Sequence, residues 1–178
     1  MREACLIFFP ARARACYAYA GLRPVIHDAL AVHEETTLQT IQLIYASQPF
    51  GFDDLALSGI LNAARKNNQR DGITGALICR EDLYLQMLEG RRDVVTAIYA
   101  RILRDDRHTQ VISLWTGDIE TRLFPEWAMR HDSAKSWMWN AEQVAAGAIG
   151  RASAEEIRGV FSRLASEAPE GPQKCPAA

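Results

Sequence analysis

Hydrophobic positions begin to alternate at Leu38. In "LQTIQLIYAS", Ile41, Leu43 and Tyr45 fall on one side, a period of two that predicts a β-strand. The period then changes. Leu57, Ile60, Leu61 and Ala64 recur at i, i+3, i+4 and i+7, which predicts an amphipathic helix, with Gly51 and Asp53 or Asp54 supplying turn and cap chemistry. Asn67 and Asn68 are expected to end that helix, followed by an Asp71-Gly72 turn. "ITGALIC" and "LYLQMLEG" are two apolar segments joined by the charged corner "REDL", a β-hairpin pattern. Val95, Ile98, Tyr99 and Ile102 share one face of a second helix. A strand over residues 111–115 follows and, after Pro125, a short strand around 127–129.

The resulting order, β-α-β-β-α-β with one more strand, is an α+β, ferredoxin-like plan. Both helices of that plan pack on one sheet face, so the other face needs a cover. The C-terminal segment offers one. Ser153 and Glu156 form a capping box, after which Ile157, Val160, Phe161 and Leu164 recur at helical spacing. "SWMWNAEQVAAGAIG" before it also reads as helix, so a helical pair is expected on the bare face. The organisation expected is an N-terminal extension over 1–36 without periodic order, a domain over 37–131, a helical cap over 132–168 and a flexible tail over 169–178.

Composition narrows the function classes. The 178 residues are 48% hydrophobic, enough for a sizeable core. A formal charge of −2, with both signs mixed along the chain, gives no field for nucleic acid. Cys5, Cys16, Cys79 and Cys175 show no CxxC spacing and do not cluster with His27, His33, His108 or His131, so no metal site is expected. Such cysteine usage suits a reducing cytoplasm. The apolar run over 5–9 is cut by Pro10, Arg12 and Arg14, too short for a signal segment or a membrane span.

One residue breaks the apolar pattern. Gln86 sits between Leu85 and Met87 in "DLYLQMLEG", where an amide buried without partners costs about 1–3 kcal/mol. Tyr45, Asn67 and Asn68 are further polar groups beside the expected core. Each has a structural use by itself: a core tyrosine with a satisfied hydroxyl, helix-ending asparagines, an amide bridging backbone groups. Together, an ambivalent amide, a phenol and two asparagine amides suit a planar heterocycle held between two helices and the sheet. The spacing shows neither a Cys-His nor a Ser-His-Asp constellation.

The segments "LIYASQ", "NNQRDGITGALI", "LYLQMLEG", "RDDRH" and "FPEWAMR" resemble, in order and spacing, the BLUF family of blue-light sensors that use FAD. The resemblance implies that Tyr45 donates an electron and a proton to an excited flavin and that Gln86 is the switching amide beside it. It places Ser47, Asn67, Asn68 and Arg107 around the cofactor, with Arg70 a weaker candidate for its ribityl or phosphate portion. Trp127 and Met129 match a pair whose exchange near the glutamine accompanies signalling. FAD is the implied cofactor, with FMN or riboflavin as substitutes.

The residues after His131 are too few for a cyclase or phosphodiesterase domain, so the expectation is a short photoreceptor without catalytic output that signals by contact to a partner protein and forms homo-oligomers. Two other functions fit the same frame. An acylphosphatase-like enzyme needs an arginine in the loop after the first strand, which "SQPFGFDD" lacks. A non-photoactive regulator of a small ligand would not retain flavin.

Overall fold

The computed structural model describes residues 39–51 and 54–169. The expected N-terminal extension, all but the first residue of the expected tail, and Asp53 lie outside the described residues. Five strands form one sheet: β1 (Thr40–Pro49), β2 (Thr74–Arg80), β3 (Leu83–Arg91), β4 (His108–Asp118) and β5 (Arg130–Ser133). Their order is β4-β1-β3-β2-β5. β3 runs antiparallel to both β1 and β2, β4 antiparallel to β1, and the added β5 parallel to β2. The first four strands follow the ferredoxin-like order.

Alternation in β1 sorts its side chains between two cores. Ile41, Leu43 and Tyr45 face α1 (Asp54–Asp71) and α2 (Arg92–Ile102), packing with Leu57, Leu61, Val95 and Ile98. Ile44 and Ala46 face the other way, toward Ile157, Val160, Phe161 and Leu164 of the C-terminal helix. That helix, α5 (Ala154–Ser166), opens with the expected Ser153–Glu156 capping box.

Three expectations are corrected. The first helix does not end at Asn67 and Asn68 but runs to Asp71, because the left-handed residue that stops it is Gly72, at φ +67°. The Ile73 N–H donates to the Asn68 carbonyl at 2.8 Å, closing a Schellman-type end. The long helix expected before Ser153 is instead two short ones, α3 (Ala141–Ala145) and α4 (Ala148–Arg151). Asn140 caps the first through a capping box with Gln143, and Gly147, at φ +77°, separates them.

The third correction concerns the last strand, which begins at Arg130 rather than around 127–129. The preceding backbone is held by irregular partners. The Trp127 carbonyl accepts from the Gly75 N–H at 3.0 Å, the Ala128 carbonyl from Asn68 Nδ2 at 2.8 Å, and the Met129 carbonyl from Arg65 Nε at 3.2 Å. Three successive carbonyls bound to one strand and two helix side chains do not form a ladder.

Candidate functional site

Antiparallel register sets Tyr45 of β1 directly opposite Gln86 of β3. Both belong to the helix-covered side of the sheet. The Tyr45 hydroxyl donates to Gln86 Oε1, and Gln86 Nε2 donates to Met129 Sδ at 3.6 Å. The buried amide thus has partners at both ends, although a thioether is a weak acceptor. Burial pushes Tyr45 well above the ordinary phenol pKa, with Tyr99, Cys79 and Asp105 adding to the shift. Burial likewise raises the Cys79 thiol to about 12, so it stays protonated and inert near neutrality.

A cleft of about 230 Å³ opens above this pair, between α1 and α2. Tyr45, Gln86 and Leu88 line its floor. Ala63 and Ala64 lie one turn before Asn67 and Asn68 on α1, so small side chains and amides share that wall. Ile98, Arg101 and Ile102 contribute from α2, and Asp105, Arg107 and His108 from the segment that follows.

Asn68 is buried and spends its Nδ2 on Ala128, while its Oδ1 has no bond to another described residue. Arg107 forks onto Asp105 at 2.8 and 2.5 Å. The fork pulls the Asp105 carboxyl down to about 2 despite its partial burial. His108 meets Ser47 Oγ through Nδ1 at 2.9 Å, and desolvation lowers its pKa.

These residues fit a flavin. A slot walled by alanines and aliphatic groups admits a planar ring, and the Asn67, Asn68 and Gln86 amides can pair with alternating donors and acceptors on its polar edge. Arg101 and Arg107 add cationic groups beside it.

The expected site residues do not all converge. Tyr45, Asn67, Asn68, Gln86 and Arg107 line one cleft, and Met129 touches Gln86. Ser47 does not line the cleft but bonds His108, which does. Trp127 packs in the core of the opposite sheet face. Arg70 points outward, forked onto Asp71, and does not line the cleft. Sequence reasoning passed over Arg101, Asp105, His108 and the two alanines. The signal for Ala63 and Ala64 was their i+4 relation to the asparagines.

Residues 40–130, just over half of the chain, match the family model described as sensors of blue-light using FAD. The chain belongs to the BLUF family. Among its relatives, the photoactivated adenylate cyclase subunit beta of Euglena gracilis is 37% identical over 97 residues, 53% of this chain but 11% of that protein. The chain therefore spans about a tenth of the length of that curated relative. A BLUF protein solved in its dark state, BlrB, superposes with a TM-score of 0.61 at 27% identity, covering 73% of this chain and 98% of that one. A bacterial light-regulated adenylyl cyclase superposes at 0.52 with 33% identity, over 70% of this chain and 36% of that one. Among the described residues, no group of metal-binding side chains occurs and no helix is long and apolar enough to cross a membrane.

Proposed function

We propose that Tyr45, Gln86 and Met129 form the photoswitch of this BLUF chain, with Asn67, Asn68 and Arg107 holding the flavin. The observation that carries this reading is the continuous Tyr45–Gln86–Met129 arrangement, whose first two members floor the cleft and whose third lies behind Gln86. A bound flavin supplies a blue-light-excited acceptor for one electron and one proton. Tyr45 would be the donor of both, and the electron and the proton would both return to it after Gln86 has rotated or tautomerised.

The Gln86 amide has two orientations with unequal partners. With Oε1 toward Tyr45, its Nε2 protons face an acceptor, Met129 Sδ. Turned over, its carbonyl faces a thioether with no proton to give, so Met129 has to yield its place. Displacing Met129 disturbs the 127–129 backbone, which Asn68 and Arg65 hold from α1. Trp127, two residues earlier and packed on the other sheet face, is the side chain that would exchange with it.

The sensor unit over 37–131 then acts through the cap over 132–168. Output passes by contact to a partner protein, with homo-oligomerisation and without catalysis in this chain, in the cytoplasm. Relatives named as light-regulated cyclases support the coupling of such a unit to an effector. The acylphosphatase-like and non-photoactive readings have no comparable support.

The test is absorption spectroscopy of the full chain reconstituted with FAD. A reversible red shift is expected after blue light, abolished in Gln86→Leu. A missing shift in the wild type, or a normal shift in the variant, would refute the switch. Parallel loading with FMN and riboflavin ranks the cofactors.

A further inference from the structure

Tyr45 has a second aromatic neighbour that the photoswitch does not use. The Tyr99 ring, carried by α2, has its centroid 5.6 Å from that of Tyr45, tilted by 52°. That separation is direct ring contact. The two hydroxyls face different surroundings. Tyr45 is fully buried and donates to Gln86, whereas Tyr99 is half-buried, with Ser113 as a polar neighbour of its hydroxyl. Ser113 is exposed on β4, paired in register with Tyr45.

We propose that Tyr99 is a second redox tyrosine, which passes an electron to oxidised Tyr45 and releases its own proton to water beside Ser113. The proposal rests on the reading of Tyr45 as the photochemical donor. Oxidation makes a phenol strongly acidic, so it is easiest where the proton has somewhere to go. In its dry site, Tyr45 has only Gln86 Oε1. Tyr99 has a route to solvent, and oxidising equivalents therefore run from the buried ring to the half-buried one.

The step balances. Tyr45 loses one electron to the light-excited flavin, and its proton, bound for the flavin, is first held on Gln86 Oε1. Tyr99 then loses one electron to Tyr45, the proton on Gln86 returns to Tyr45 Oη, and the Tyr99 proton goes to water. In sum, the Tyr99 O–H bond is broken, one electron reaches the flavin and one proton reaches solvent. This channel removes the Tyr45 radical before it can recombine. Tyr99 thus sets how many absorbed photons end in photoreduction rather than in the red-shifted state.

The experiment is electron paramagnetic resonance of the FAD-loaded full chain, freeze-trapped under blue light, with ring-deuterated tyrosine to assign the signal. Absorption is recorded on the same samples. Wild type is expected to trap a tyrosyl radical. Tyr99→Phe, which keeps the ring packing, should lose that radical yet retain the red shift in higher yield. Ser113→Ala should weaken the radical signal without removing the shift, and Tyr45→Phe should lose both.

An unchanged tyrosyl signal in Tyr99→Phe, a persistent one in Tyr45→Phe, or none in a wild type that shifts normally would overturn the relay alone. No red shift in the wild type would instead overturn the photoswitch on which it rests.

Discussion

Tyr45 keeps its proton because ionising it would place a charge in a dry core. Its folded-state pKa is raised above the ordinary value of about 10, so the stability it contributes is fully present below about pH 10 and is lost as pH climbs beyond. We expect the wild type to lose about 1 kcal/mol more stability than Tyr45→Phe between pH 9 and 11, since phenylalanine has no proton to lose. Parallel melting curves across that range would contradict the assignment. Gln86 and Tyr45 could be picked out in the sequence because each puts a polar atom on an apolar strand face. His108 and Arg101 could not, since a polar residue at a helix end or strand start is ordinary until the fold turns it toward a cleft.

The elements were readable wherever one period ran long enough. β1, the β2–β3 hairpin, α2 and the capped α5 follow from their alternation or helical spacing. The failures came where local partners overrode the pattern. Asn67 and Asn68 are tolerated inside α1 because a tertiary contact, Asn68 to Ala128, occupies an amide that would otherwise compete with the helix. Trp127 and Met129 alternate like strand residues, yet their carbonyls are taken by β2 and α1.

The same junction explains Gly75, whose φ of +151° suits few side chains. A Cβ there would lie 2.0 Å from the Met87 carbonyl oxygen, a backbone atom next to Gln86. Gly75→Ala should therefore destabilise the fold by about 3 kcal/mol, seen as a lower urea midpoint. An unchanged midpoint would show that β2 and β3 part more easily than this packing allows.

Across the whole molecule, the two sheet faces meet at β5. Arg130 follows Met129 directly and is 2% exposed; it donates to Asp132, itself 0% exposed, at 2.7 Å. Its Nη1 reaches the Glu167 carbonyl at 3.1 Å, at the end of α5. Lys135 adds a second cation on Asp132 at 3.3 Å. The strand beside the proposed photoswitch is thereby tied to the end of α5 by a buried charge.

Removing one partner leaves the other buried with less compensation, so Arg130→Met should cost about 3–5 kcal/mol in chemical denaturation. Replacing both, Arg130→Met with Asp132→Leu, should recover most of that loss, because of the three charges only Lys135 remains, and it is the least buried of them. The double variant also separates stability from coupling. It keeps the red shift of the flavin-loaded protein but lacks the bond to Glu167. Light should then no longer change proteolytic protection at the end of α5, whereas it should in the wild type. A double variant with the same light-dependent protection would show that motion of Met129 reaches the cap by another route.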